Sequence, residues 1–239
     1  MQQLKDKIAI VTGSSSGIGK AIALRFAQEG ATVVVAARRF YKCEETVAQI
    51  ESAGGRAWAL QTDIADESQV EQLMAETIRR YQRLDILVNN AGIFGGRRLG
   101  ETTTEAFDDV MRTNVRGTFF CCRAGFAQMK QQGGGTIINM SSVAGVQAWS
   151  GTGTYSASKH AIMALTKSLA DEGRPYRIKV SALCPGGVAD ELVDATPEAR
   201  AASEKIDPFD IAEAALYLAC LGPQAVVHQL VVDRLGADW

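Results

Sequence analysis

Residues 139–160 carry the side chains best suited to chemistry, because a tyrosine and a lysine stand four positions apart after a loop rich in glycine, serine and threonine. If a helix begins at Tyr155, then Tyr155 and Lys159 lie one above the other on the same helix face. An ammonium beside a phenol favours the phenolate, so the spacing predicts that the pKa of Tyr155 falls from its usual value of about 10 towards neutral pH. Tyr155 is therefore a candidate general acid and base.

Ser142 stands on the loop between an apolar run, residues 136–140, and this predicted helix. From that loop its hydroxyl can bind the oxygen that exchanges a proton with Tyr155. A tyrosine and a lysine at this spacing also occur by chance on solvated helix faces. The catalytic interpretation is favoured because a glycine-rich turn, typical of nucleotide sites, stands near the start of the chain.

That turn occupies residues 12–19, between a predicted strand at residues 8–11 and a predicted helix that ends near Gly30. Glycines allow a tight turn and a close approach to a ligand, and the first helical turn offers free N–H groups to a pyrophosphate. The spacing is Gly-x-x-x-Gly-x-Gly rather than the commoner Gly-x-Gly-x-x-Gly. The alternative is a plain strand-to-helix turn, and the order of strand, turn and helix favours nucleotide binding.

The chain resembles the short-chain dehydrogenase/reductase family over nearly its whole length. The resemblance rests on residues 12–19, the tetrapeptide at residues 89–92, Asn114, Ser142, and Tyr155 with Lys159. It implies a single catalytic domain over residues 1–239 with a Rossmann-type α/β fold, a nicotinamide cofactor and reversible reduction of a carbonyl. The alternation of predicted strands and helices also indicates a doubly wound parallel sheet covered on both faces.

Carried over position by position, the resemblance implies the residues of the site. The implied catalytic residues are Asn114, Ser142, Tyr155 and Lys159. The implied cofactor-binding residues are Gly13, Ser15, Ser16, Gly17, Ile18, Gly19, Arg38, Arg39, Asp63, Ile64, Asn90, Ala91, Gly92, Tyr155, Lys159, Pro185, Gly186 and Val188. The implied substrate pocket comprises Ser142, Phe94, Trp149 and Gly187.

The choice of cofactor depends on the end of the second predicted strand, Thr32–Ala37, which runs into Arg38 and Arg39. An acid at this place accepts hydrogen bonds from a free 2'-hydroxyl, whereas an arginine offers a fork of donors to a 2'-phosphate. No acid appears before Glu44, so NADP(H) is favoured. Ser16 lacks the basic side chain that some NADP-preferring family members carry there, and NAD(H) remains the less favoured alternative.

Two polar residues have a structural alternative to their family roles. By resemblance Asp63 contacts the adenine amino group, but its place after a predicted strand also suits an N-cap-like turn before the next helix. By resemblance Asn114 orders a water that links Lys159 to solvent. Asparagine is unfavourable inside a helix, which supports such a role, and an exposed position on the helix predicted over residues 104–130 is the alternative.

Asp190 departs from the family pattern, in which a threonine commonly stands at this position. A carboxylate near a pyrophosphate is repelled, so the sequence leaves two possibilities: Asp190 points away, or its loop moves. Residues 190–207 are rich in alanine and acidic residues and are predicted to form a short mobile lid over the substrate.

Composition narrows the class of protein and its partners. A chain of 239 residues with 46% hydrophobic content can bury one large core, and its formal net charge of -2 gives no general attraction to nucleic acid or an anionic membrane. Charges near the first residue and the lack of a long apolar run favour a cytoplasmic protein. Two histidines and five cysteines without a CxxC motif argue against a metal site.

The sequence therefore predicts an NADP(H)-preferring enzyme that interconverts a carbonyl compound, of ketone, aldehyde or 3-oxoacyl type, and its alcohol. The alternatives are the same chemistry with NAD(H), or a nucleotide-binding sensor or scaffold without turnover. The predicted partner is a small-molecule substrate. A homo-oligomer, a tetramer or a dimer, is also expected, because apolar positions on the predicted helices that begin at Thr104 and Tyr155 exceed what one sheet face needs.

Overall fold

A seven-stranded parallel sheet forms the centre of the protein in the computed structural model, which describes residues 2–236. The strands are β1 (Ile8–Thr12), β2 (Thr32–Ala37), β3 (Arg56–Gln61), β4 (Ile86–Asn89), β5 (Gly135–Met140), β6 (Ile178–Pro185) and β7 (Gln229–Val232). They are arranged in the order β3-β2-β1-β4-β5-β6-β7. All carboxyl ends therefore meet at one edge, and the chain reverses its direction of travel across the sheet between β1 and β4, where such folds bind ligands.

Helices connect the strands. They are α1 (Gly17–Gln28), α2 (Phe40–Ser52), α3 (Glu67–Tyr81), α4 (Thr104–Val110), α5 (Thr118–Gln132), α6 (Gly153–Gly173), α7 (Pro197–Ala201) and α8 (Pro208–Cys220). A π-helical segment, Met111–Gly117, joins α4 to α5. Short 3-10 turns occur at Leu99–Glu101, Val143–Gly145, Arg174–Tyr176 and Asp190–Asp194.

The sheet separates two apolar clusters, one on each face. In β1, Ala9 and Val11 belong to the cluster that contains the apolar residues of α1 and α8, whereas Ile10 belongs to the cluster beneath α3 and α5. This alternation follows from the pleat, which sends successive side chains to opposite faces. Since both faces are covered, the central strands consist of continuous apolar residues, as parallel strands do.

The predicted doubly wound parallel sheet is confirmed, and β2 has the predicted bounds. The sequence also predicts a strand over residues 56–61, which agrees with β3, and a helix over residues 45–53, which in the structure begins earlier, at Phe40. Phe40 and Tyr41 are 40% and 58% exposed, so two aromatic side chains on the solvent side obscure the inward positions of this helix. The helix predicted over residues 104–130 is interrupted by the π-helical segment.

The predicted lid begins with the 3-10 turn Asp190–Asp194 and continues into α7. Backbone hydrogen bonds from Ala189 N to Ile206 O and from Ile206 N to Gly187 O, each 3.0 Å long, join the two ends of this segment.

None of the helices described within residues 2–236 is long and apolar enough to cross a bilayer.

Candidate functional site

A cleft of about 790 Å³ opens at the carboxyl edge of the sheet, beyond the ends of β1 and β4. All of the predicted cofactor-binding residues line it, together with Ser142 and Phe94. Trp149 and Gly187, which were expected in the substrate pocket, lie outside this lining, and so does Asn114. Further lining residues that the sequence did not indicate are Ala37, Thr62, Thr113, Met140 and Ser141, and Asp190 also lines the cleft.

The glycine turn after β1 is packed so closely that larger residues do not fit. Gly13 has a φ of +68°, and a Cβ atom there would stand 2.8 Å from the Cα of Ala91. A Cβ at Gly19 would stand 2.5 Å from the carbonyl oxygen of Gly13. The Ser14 hydroxyl stabilises the turn by donating a hydrogen bond to Val11 O at 2.6 Å. Together these contacts turn the first backbone N–H groups of α1 towards the cleft.

Arg39 reaches from the end of β2 to this turn. Its Nη2 atom donates to Ser16 Oγ at 2.9 Å and to Ser15 Oγ at 3.4 Å. Arg38 stands beside it on the cleft wall and is exposed. Both arginines were expected to bind a 2'-phosphate. In the structure, hydrogen bonds to the two serine hydroxyls orient Arg39. Two cations therefore line the part of the cleft at the end of β2.

Asparagine and aspartate side chains fix the neighbouring strand ends. Asn90 Nδ2 donates to Thr12 O at 2.9 Å, and the Asn90 backbone N–H donates to Thr12 Oγ1 at 3.0 Å, so the end of β4 is tied to the end of β1. Asp63 Oδ1 accepts from Ala65 N at 3.0 Å and shapes a turn. The N-cap of α3 is Asp66 rather than Asp63.

Asn114 is buried, with 1% of its surface exposed, so the exposed helix position considered above is wrong. Its Oδ1 accepts from Ile93 N at 2.8 Å, and its Nδ2 donates to Ile93 O at 2.9 Å and to Ser158 Oγ at 3.1 Å. A Cβ at Gly92 would lie 3.1 Å from Asn114 Oδ1 and 3.6 Å from Lys159 Nζ. Asn114 thus joins the π-helical segment, α6 and the loop after β4 beside Lys159.

Tyr155, Lys159 and Ser142 come together at the inner end of the cleft. Because α6 begins at Gly153, Tyr155 lies in its first turn and Lys159 in the next. The Lys159 Nζ atom donates to Met140 O at 2.9 Å and lies 5.6 Å from the centroid of the Tyr155 ring. Ser142 Oγ accepts from Ala144 N at 3.1 Å. Its hydroxyl donates to Pro185 O at 3.3 Å and lies close enough to Tyr155 to lower the pKa of the phenol.

The predicted fall in the pKa of Tyr155 is wrong for the protein without a ligand. Burial raises the pKa of Tyr155, and the negative charge of Asp190 raises it further, whereas the hydrogen bond with Ser142 lowers it. Burial also lowers the pKa of Lys159 to about 8. The sequence argument treated Lys159 as a full positive charge, but desolvation penalises the charged form of both groups.

This burial predicts how stability depends on pH. Between pH 8 and the ordinary lysine value of 10.5, an unfolded chain binds more protons at position 159 than the folded protein does. Stability then rises with pH. We expect the free energy of unfolding of the wild type to increase relative to Lys159→Met across this window, by roughly 3 kcal/mol in total. Urea unfolding at several pH values measures this difference.

Lys167 provides the matched control, since it lies on α6 and is exposed. The stability difference between the wild type and Lys167→Met should not change over the same pH range. A wild-type curve parallel to that of Lys159→Met would contradict the assignment of a depressed pKa to Lys159.

The wall beside Tyr155 is apolar. The ring of Phe94 meets the Tyr155 ring edge-on, with centroids 4.9 Å apart and planes at 72°. Phe94 is nevertheless 70% exposed. An exposed aromatic ring next to the half-buried Tyr155 suits an apolar ligand with one polar atom.

The position of Asp190 settles one of the alternatives. Its side chain does not point away from the cleft but lies against the first turn of α1, where a Cβ atom at Gly17 would stand 2.9 Å from the Asp190 carboxylate. The only signal in the sequence was the residue type, an acid where related chains carry threonine. In the part of the chain that the structure describes, no cluster of His, Cys, Asp or Glu side chains is placed to hold a metal.

The chain is similar to proteins of known class. It is 38% identical over 220 residues to a 3beta-hydroxysteroid dehydrogenase of Mediterraneibacter gnavus, which covers 88% of this chain and 78% of the relative. It is 40% identical over 190 residues to a 3-oxoacyl-[acyl-carrier-protein] reductase of Staphylococcus aureus, covering 79% and 77%. Among solved structures, a metagenomic short-chain oxidoreductase in complex with NADP superimposes with a TM-score of 0.85 at 30% identity, covering 98% of this chain and 99% of that one.

The description of the family model that matches this chain is short chain dehydrogenase, and the match extends over residues 7–201. That range contains the glycine turn, Ser142, Tyr155 and Lys159, which line one cleft, and Asn114, which is buried beside Lys159. Sequence, fold and site geometry agree, and the chain belongs to the short-chain dehydrogenase/reductase family of oxidoreductases.

Proposed function

We propose that this chain, as one catalytic domain, is an NADP(H)-dependent oxidoreductase that interconverts a carbonyl compound and the corresponding alcohol. One observation carries the proposal: Tyr155, Ser142 and Lys159 converge at one end of the cleft whose other end holds a glycine turn and two arginines. A dinucleotide has the length and charge distribution to connect these two ends, with its phosphates towards the glycine turn and arginines.

The residues fit this cofactor. Close packing at Gly13 and Gly19 leaves no room for side chains and brings the backbone to the cleft surface, as a pyrophosphate site needs. Arg38 and Arg39 would hold a 2'-phosphate, and Asp63 would face the adenine. The bound nicotinamide would supply or accept a hydride. The similar solved structure, a complex with NADP, supports this choice over NAD(H).

Side chains of the protein transfer the proton and stabilise the oxygen of the substrate carbonyl. In reduction, the Tyr155 hydroxyl donates its proton to the carbonyl oxygen, and the Ser142 hydroxyl stabilises the same oxygen by hydrogen bonding. The raised pKa of Tyr155 keeps the phenol protonated at neutral pH, which is the form that a proton donor needs. Lys159, next to Gly92 and Asn114, holds the strand end at Met140 and supplies the charge that Tyr155 needs as its proton leaves.

The exposed ring of Phe94 against Tyr155 supports an apolar substrate. The names of two relatives refer to a hydroxysteroid and to a 3-oxoacyl group. Both contain the hydroxyl or oxo group that the proposed reaction interconverts. We therefore place secondary alcohols and ketones with apolar substituents first among the candidate substrates.

The proposed function is tested by following NADPH absorbance with a panel of ketones, aldehydes and 3-oxoacyl thioesters, and NADP reduction with secondary alcohols. We expect turnover with some apolar members of the panel and less with NADH. Tight binding of NADPH without turnover across the whole panel would instead support the sensor or scaffold.

We also propose that the protein is a homo-oligomer, most simply a tetramer. Phe107 on α4 and Phe119 on α5 are each 41% exposed, which leaves an apolar surface on these helices. Sedimentation at micromolar concentration should show an assembly, and Phe119→Glu should shift it towards the monomer because a charge would be buried. Tyr41→Glu, on α2, is the control and should leave the assembly intact. A wild-type monomer would contradict the proposal.

A further inference from the structure

The carboxylate of Asp190 occupies the first turn of α1. A Cβ at Gly17 would meet both Cγ and Oδ1 of Asp190 at 2.9 Å, and the backbone N–H of Ile18 favours the charged form of this carboxylate. α1 is 12 residues long, and Ser16 at its N-cap makes no side-chain cap bond. The N–H groups of a first helical turn need acceptors and favour negative charge. Asp190 provides that acceptor from a distant part of the chain.

Contacts from several elements hold Asp190 in this place. Asp194, at the end of the same 3-10 turn, accepts from Lys20 Nζ on α1 at 2.7 Å, and the Lys20 side chain is only 7% exposed. Val193 is buried, with 6% of its surface exposed, in the cluster that contains α1. On the other side, Ala189 and Gly187 are hydrogen-bonded to Ile206. The 3-10 turn Asp190–Asp194 is thus packed onto α1 and does not hang freely in solvent.

A pyrophosphate bound at the first turn of α1 would need the same backbone N–H groups. Dinucleotides of this fold place their phosphates on the N–H groups of the first turn after the glycines. The carboxylate of Asp190 lies against Gly17, within that space, and carries the same sign of charge as a pyrophosphate. The two anions therefore exclude each other from the N-terminus of α1.

We propose that Asp190 competes with the pyrophosphate of the cofactor, so that the dinucleotide binds only when the turn Asp190–Asp194 leaves the first turn of α1. This inference rests on the cofactor proposed above and adds a residue that sets its affinity. A protein that binds only from a minor open state shows an affinity reduced by the open fraction. In the open state, the first turn of α1 therefore binds the dinucleotide more tightly than the measured affinity of the intact protein indicates.

The test is the affinity of NADPH for Asp190→Asn, measured by calorimetry or fluorescence without any substrate. Asparagine keeps the size of the side chain and removes the charge, so we expect the dissociation constant to fall about tenfold. Glu191→Gln is the control, because Glu191 is the neighbouring carboxylate on the same turn and is exposed. It should change the dissociation constant by less than about twofold.

A second ligand separates the pyrophosphate from general electrostatics. Adenosine 2'-monophosphate carries the 2'-phosphate and no pyrophosphate, so the wild type and Asp190→Asn should bind it equally. Equal or weaker binding of NADPH to Asp190→Asn than to the wild type would overturn the inference, as would equal tightening of both ligands. Failure of both proteins to bind NADPH would overturn the proposed cofactor and the inference together, whereas tight and equal binding overturns the inference alone.

Discussion

Tyr155→Phe is expected to reduce turnover to near background, a loss of about 10²–10⁴-fold, because the general acid is removed. The dissociation constant of NADPH should change by less than about twofold, since phenylalanine keeps the ring that packs edge-on against Phe94. Steady-state rates with the best substrate of the panel, together with fluorescence titration of NADPH, measure the two quantities separately.

Two further variants sharpen this result. Tyr217→Phe changes a 53% exposed tyrosine on α8 in the same way and should retain full activity. Lys159→Ala should lose turnover and also weaken cofactor binding, because it removes the side chain that lies between Gly92 and Tyr155. Wild-type turnover in Tyr155→Phe would show that another group donates the proton.

The second large effect is expected at the end of β2. If Arg38 binds the 2'-phosphate, a charge-assisted pair contributes roughly 1.5–3 kcal/mol, so Arg38→Ala should raise the Michaelis constant for NADPH by about one to two decades. NADH lacks a group at this position, and its constant should stay nearly unchanged. Arg39→Ala should act in the same direction, because Ser16 holds Arg39 beside the same position. Steady-state kinetics with both cofactors give the four constants.

Charge reversal tests the same contact from the other direction. Ala37→Asp combined with Arg38→Ala should turn the preference towards NADH, because a carboxylate repels the phosphate and accepts from the 2'-hydroxyl. The contribution of the exposed Arg38 should also shrink as salt is raised. Arg56→Ala removes an exposed arginine elsewhere and should change neither constant. Equal efficiency of the wild type with NADPH and NADH would show that Arg38 is a solvated surface charge.

The sheet was predictable because its signals are local. Ile8, Ile10 and Val11 are buried on both faces of β1, so an uninterrupted apolar run was enough to identify the strand. The glycines after β1 then fixed where the sheet edge would bind a ligand. The start of α2 was missed because solvent-side Phe40 and Tyr41 do not follow an amphipathic pattern.

The sequence predicted which residues form the site better than it predicted their pKa values. The motifs placed Tyr155, Lys159 and Ser142 together, but the direction of the Tyr155 pKa depends on burial by elements far apart in the chain. Asn114 contacts Ile93 from a π-helical segment, which the residue types of the sequence do not predict. The contact of Asp190 with Gly17 spans most of the chain and follows from packing of the 3-10 turn against α1.

The π-helical segment Met111–Gly117 bears on how the lengths of related chains should be compared. Its hydrogen bonds close over five residues rather than four, so deleting one residue lets the segment close as an ordinary α-helix. Such a shortened chain would keep the sheet and the glycine turn but would change the position of Asn114 relative to Ile93 and Ser158. A gap at this point in a related chain would then indicate different packing beside Lys159 with the glycine turn retained.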